Sequence, residues 1–243
     1  MPPRAPRPIG VALLDKPAGP SSFALVSEFR RRTGARTGHA GTLDPFATGL
    51  LVLLSGIATK LVPCFVGLDK RYVTDVDLTS TTSTGDPEGE VLETHAPLSH
   101  QALEEAVAGL RGEVELRIPA ASAVKIGGER AYRLARQGTV VEMPMRRSRV
   151  HTLEIVEYGG DSVRLALHVG SGTYVRSIAE ALGGHCRTLR RTAVGPFSVD
   201  EADPARLHPI GEMLARLPGE ALERVPADVR DRVLEFDAAE VAL

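Results

Sequence analysis

Cysteine is scarce in this 243-residue chain; the only two are Cys64 and Cys186. Two cysteines make neither a disulfide framework nor a closed zinc site, so a reducing, cytoplasmic setting and no bound metal are expected. Long apolar runs are missing too. The longest, Gly49-Leu50-Leu51-Val52-Leu53-Leu54, has the length of a buried strand and falls well short of the roughly 18 residues of a membrane span. Neither a P-loop nor a dinucleotide-binding glycine fingerprint is present. Lysine is rare as well: four of the 29 basic residues are lysine and the rest arginine, whose planar fork suits phosphates and stacks on bases.

What is there suits a globular protein. Hydrophobic residues make up 43% and charged residues 25%, and the length allows one large domain or two modest ones. The net charge of −2 is unevenly spread. From Asp200 onward there are 11 acidic and 5 basic residues, a net of −6, which leaves 24 basic and 20 acidic residues, a net of +4, before it. Residues 1–9 are Pro/Arg-rich without a signal-peptide core and read as a flexible arm.

Strands are expected at 10–14, 49–54, 71–78, 114–118, 149–158, 162–169 and 194–199. Residues 33–48 and 79–89 read as loops. Helices are expected from Ser21/Ser22 to about residue 32, from near Ala58, from Ser99 to 110, over 129–137, over 173–182, and last at 209–217. Strands are too many for a regular βαβ alternation, so the expected fold is α+β, a mixed, largely antiparallel sheet with flanking helices.

The most informative stretch is Gly38-His39-Ala40-Gly41-Thr42-Leu43-Asp44-Pro45-Phe46-Ala47-Thr48-Gly49-Leu50-Leu51. An Asp-Pro pair ordinarily marks a helix N-cap with proline at the first helical position. Here the acid sits in a glycine-punctuated loop, and the chain continues from it into an apolar strand. The pattern resembles the catalytic motif of TruB-type pseudouridine synthases, and further elements occur in that family's order. They are Leu13-Leu14-Asp15-Lys16-Pro17, Gly56-Ile57-Ala58-Thr59-Lys60, Asp69-Lys70-Arg71-Tyr72 and Pro119 to Lys125 with Tyr132 and Ala135-Arg136. Gly172-Thr173-Tyr174-Val175-Arg176-Ser177 and Leu189-Arg190-Arg191-Thr192 complete the series. The resemblance covers about residues 10–200.

It implies a cofactor-free isomerase that converts a uridine in the T loop of tRNA, position 55, to pseudouridine. Such chemistry needs an ionised carboxylate beside sugar and base, as nucleophile or charge stabiliser. The resemblance assigns that part to Asp44, with Arg176 as its pairing cation and Tyr72 against the flipped base. It places His39, Tyr174, Leu189 and Lys16 around the substrate, with His39 filling the gap left by the extruded nucleotide. By default His39 is a surface loop histidine, Arg176 a surface arginine at a helix start, and the two tyrosines and Leu189 core residues.

The chain departs from the family in carrying Ala121 where a tyrosine is usual and in a short segment from Arg176 to Leu189. Many relatives also continue into a C-terminal PUA domain, whereas residues 201–243 read as a short acidic helical tail. The expected partner is therefore the tRNA T arm, bound by a monomer away from membranes. Two alternatives stay open: a non-catalytic tRNA-binding or folding protein on the same scaffold, and a synthase acting on another RNA.

Overall fold

The computed structural model describes residues 8–122, 124–131 and 142–241. The chain divides into two compact units, Met1–Lys70 with Arg190–Leu243, and Arg71–Leu189.

In the first unit, β1 (Gly10–Lys16) pairs antiparallel with β3 (Thr48–Ser55), from Gly10 opposite Ser55 to Lys16 opposite Gly49. Seven of the eight β3 residues are buried, as a continuous apolar run requires of a strand covered on both faces. Helix α1 (Ser22–Thr33) lies between them in sequence. The Ser21 hydroxyl accepts from the Ala24 N–H, and Gly34, with φ 66°, closes the helix in the left-handed conformation. Residues 33–48, expected to be all loop, contain the short strand β2 (Thr37–His39), which pairs antiparallel with β3. The helix expected near Ala58 is a 3-10 turn, Gly56–Leu61, followed by α2 (Val62–Val66) with Pro63 in its first turn.

The second unit has strand order β12-β4-β11-β10-β7, with β4 (Lys70–Asp77), β7 (Gly112–Arg117), β10 (Met145–Tyr158), β11 (Ser162–Val169) and β12 (His185–Val194). β10 pairs antiparallel with both β11 and β7. Helix α3 (His100–Gly109) is capped by Ser99 as expected. Residues 79–89 hold β5 (Ser80–Thr82), the partner of β6 (Val91–Thr94). The helix expected over 129–137 begins instead as β9 (Glu129–Arg130), paired with β8 (Lys125–Ile126); its remainder, with Tyr132, Ala135 and Arg136, lies outside the described residues. Helix α4 (Val175–Ala181) is shorter than expected.

Strand β12 begins well before the strand expected at 194 and runs on into the first unit, where Arg190 and Arg191 pair in parallel with Thr48 and Gly49. β13 (Phe197–Ser198) folds back onto it. The fold is thus mixed α+β and largely antiparallel. Helix α5 (Ile210–Ala215) is not the last: α6 (Gly219–Leu222) and α7 (Ala227–Val241) come after it, each preceded by a proline that cannot continue the previous helix. Ile210, Met213, Leu214, Ala221, Val225 and Val233 join Val11, Leu13, Leu50, Val52 and Leu54 in one core cluster. The segment after Asp200 is therefore packed into the first unit's core.

Candidate active site

Asp44 does not cap a helix. Its carbonyl accepts from the Ala47 N–H at 3.1 Å, which makes Asp44-Pro45-Phe46-Ala47 a tight turn with proline at its second position. The turn sits in a loop leaving β2 and returning as β3. Gly41 and Gly49, both at φ 103°, form the two feet of that loop in a conformation that L side chains rarely adopt.

Three buried side chains fix this loop from inside the first unit. The Ser22 hydroxyl donates to the Leu43 carbonyl (2.9 Å) and accepts from the Leu43 N–H (2.8 Å). The Lys16 ammonium donates to the carbonyls of Pro17 (3.0 Å), Pro45 (3.0 Å) and Ala47 (2.6 Å). The Arg191 guanidinium donates to Leu50 (2.7 Å), Thr42 (3.4 Å) and Gly41 (3.1 Å). Lys16, nominated for substrate binding, is thus 0% exposed and bonded to the backbone of Pro45 and Ala47, just after Asp44. Asp44 itself is partly exposed.

His39 lies on β2, half-buried rather than out in a surface loop. Burial, and then the Arg191 charge, hold its imidazole below the ordinary pKa, against an opposing backbone hydrogen bond at Gly41. Lys70 is buried and donates to the carbonyls of Val66 (2.6 Å) and Leu68 (2.5 Å). Burial first, then Arg191, bring its pKa down to about 8.

The second unit carries the other nominated residues. Tyr174 precedes α4 with φ −95° and ψ 117° and packs, half-buried, on the cluster of Ile118, Ala131 and Met143. Arg176 is no surface arginine. Its guanidinium donates to the carbonyls of Thr84 (2.5 Å) and Ala121 (2.9 Å) and pairs with Asp86 at 3.3 Å, the two side chains being 3% and 5% exposed. Asp86 also accepts from the Thr84 hydroxyl (2.5 Å) and the Glu88 N–H (3.0 Å). So supplied with donors, the carboxylate is itself fixed, and it holds the guanidinium in one orientation. Tyr72 on β4 and Leu189 on β12 are both buried.

Sequence reasoning missed Asp86 and Arg191. Asp86 had a readable signal: it begins an Asp-Pro pair in the glycine-flanked loop Gly85-Asp86-Pro87-Glu88-Gly89, the same pattern that singled out Asp44. Arg191 had none beyond its place in the Leu-Arg-Arg-Thr stretch.

The profile of the TruB family pseudouridylate synthases (N-terminal domain) matches residues 30–175. The chain is 44% identical over 208 residues to tRNA pseudouridine synthase B of Mycobacterium sp. (strain KMS), covering 80% of this chain and 70% of that one. It is 44% identical over 211 residues to that of Corynebacterium jeikeium (strain K411), covering 79% and 68%. Among solved structures, a chain of a Cbf5-Nop10-Gar1 complex aligns with a TM-score of 0.62 at 29% identity, over 79% of this chain. This chain spans about half of that one, 51%. The chain belongs to the TruB family of pseudouridylate synthases.

Proposed function

We propose that this chain isomerises uridine to pseudouridine in tRNA, with Asp44 as the catalytic carboxylate and the T loop, position 55, as the target. The observation that carries the reading is the Asp44 loop. A partly exposed carboxylate stands on a turn whose backbone is tied down on both sides by buried donors from Lys16, Ser22 and Arg191. A group held this way meets the reacting atoms without first being ordered, which is where much of an enzyme's advantage lies.

The reaction is balanced within the substrate. The bond from uracil N1 to ribose C1′ breaks, the base turns, and C5 bonds to C1′; C5 loses its proton and N1 gains one. Asp44 acts as nucleophile or as stabiliser of the charge that develops during cleavage. Tyr72 lies against the uracil, Arg176 supplies the fixed positive charge, and Tyr174 and Leu189 line the nucleotide's surroundings. His39, kept neutral by its burial, packs in the space the extruded nucleotide leaves. Lys16 acts through the loop rather than on RNA. Catalysis belongs to residues 10–200, on a monomer that grips the T arm.

Base-resolution mapping of pseudouridine in tRNA lacking the modification, with the purified chain and with Asp44→Asn, tests this. The expected result is one new pseudouridine in the T loop, absent with the variant. Binding of tRNA without product would favour a folding helper, and product in ribosomal RNA alone would favour a synthase of another RNA. Either result overturns the proposal.

A further inference from the structure

We propose that Arg191 is a positioning residue for the isomerisation, joining the two feet of the Asp44 loop and supplying that loop with a fixed positive charge. This role presupposes that Asp44 is the catalytic carboxylate.

Arg191 is 1% exposed and, among the described residues, heads the largest fully buried side chains. Its backbone lies opposite Gly49 in the parallel pairing of β12 with β3, so near that a Cβ on Gly49 would meet the Arg191 carbonyl oxygen at 2.2 Å. Its side chain bonds Gly41 and Thr42 before Asp44 and Leu50 after it. One rigid, planar group thus sets the distance between the ends of the loop, which a single-point donor such as lysine cannot do.

Charge matters here as well as geometry. A buried arginine is ordinarily neutralised by a buried acid. Among the described residues the buried carboxylates are Asp77 and Asp86, both in the second unit, and no ion pair to Arg191 is found. Carbonyl oxygens satisfy its N–H groups without cancelling its charge. The surplus acts on its neighbours, since His39 and Lys70 are both pushed toward their neutral forms by Arg191, after burial. The same field favours the ionised form of a carboxylate carried on the loop. The titratable and charged groups of the first unit around this cation are Lys16 on β1, His39 on β2, Asp69 and Lys70 at the start of β4, and Arg190 beside it, itself paired with Asp15 at 2.7 Å. Of these, His39 and Lys70 titrate within the range of the rate profile; His39 is held below its ordinary pKa, and Lys70, at about 8, bears on the alkaline side and not on the acid limb.

The test compares Arg191→Lys and Arg191→Met with the wild-type chain and with Asp44→Asn. Single-turnover pseudouridine formation is measured from pH 5 to 9, tRNA binding by titration, and folding by urea denaturation. Both Arg191 variants should lose about a hundredfold in rate, the scale set by roughly 1 Å of misplacement of a catalytic group, with tRNA affinity within about threefold, because phosphate contacts dominate affinity. The acid limb of the rate profile should move to higher pH in Arg191→Met, where the charge is gone, and stay near its wild-type place in Arg191→Lys. Exogenous guanidinium should restore part of the rate to Arg191→Met. A normal rate with an unmoved acid limb in either variant overturns the proposal, and so does failure of both variants to fold, which would make Arg191 a folding residue only. If Asp44→Asn turns over normally, the assignment of Asp44 fails instead, whatever the Arg191 variants do.

Discussion

Gly49→Ala should be among the most damaging single-methyl additions in this protein. Two costs combine. Gly49 has φ 103°, a conformation strained for any L side chain, worth about 1–3 kcal/mol. The new Cβ would also stand 2.2 Å from the Arg191 carbonyl oxygen and 2.7 Å from its nitrogen. Those are backbone atoms in a paired strand and cannot swing aside as a side chain end can. Relieving the clash means moving β12 against β3, and overpacking of this kind costs about 1–3 kcal/mol. Together they give a loss of about 4 kcal/mol, a large share of the roughly 5–15 kcal/mol that stabilises a typical domain. With a urea slope of about 2–3 kcal/mol/M, the unfolding midpoint should fall by about 1.5 M. Gly211→Ala is the matched control. Its Cβ would touch only Leu234 Cδ2, at 3.7 Å, within helix α5, so it should gain about 0.5–1 kcal/mol from the lost flexibility of the unfolded chain. Urea titrations followed by far-UV circular dichroism give both numbers. Pseudouridine formation by folded Gly49→Ala should fall too, because displaced Arg191 no longer sets the ends of the Asp44 loop. A midpoint within about 0.3 M of wild type, about 0.8 kcal/mol on the same slope, would refute the claim that strand contact at Gly49 is both close and rigid.

Asp44→Asn should abolish tritium release from C5-labelled tRNA while changing tRNA affinity by a few-fold at most. Asp86→Ala should lower stability by about 3–5 kcal/mol, because it removes the carboxylate of a buried ion pair with Arg176. The rate should also fall by orders of magnitude under conditions where the variant is fully folded, as a kinetic and urea comparison would show. Lys70 makes a prediction about pH. Its folded-state pKa of about 8 lies below the ordinary 10.5, so between those values the unfolded chain binds more protons than the folded one. Its contribution to stability is therefore most unfavourable below pH 8 and improves by about 3 kcal/mol as pH rises toward 10.5. Urea unfolding from pH 7 to 10 should show this rise in wild type relative to Lys70→Met; parallel curves would refute it.

Much of this protein was legible in local pattern. The apolar run at Gly49 to Leu54 has the length of a covered strand and forms one, and Ser21 caps a helix by its own hydroxyl. Asp44 was expected in a glycine-punctuated loop, and the structure stands Gly41 and Gly49 at its ends with φ 103°. Short polar strands were not legible: β2, β5 and β6 have too few residues to show a period, and only their partners' hydrogen bonds make them strands. β12 was hidden by its arginines, and α7 by its charge and the prolines before it. The deepest difference concerns the charged side chains. Apart from the motifs they share with a known family, composition and periodicity do not distinguish Lys16, Arg176 or Arg191 from surface cations, and the structure buries all three. A cation can be buried only where acceptors converge on it, and here they come from residues 31 positions away for Lys16, 90 for Arg176 with Asp86, and 141 or more for Arg191. Residue type is a local property and could be read along the chain. Convergence of acceptors is a property of the folded backbone, so which cations hold the Asp44 loop and which meet solvent was decided by tertiary structure.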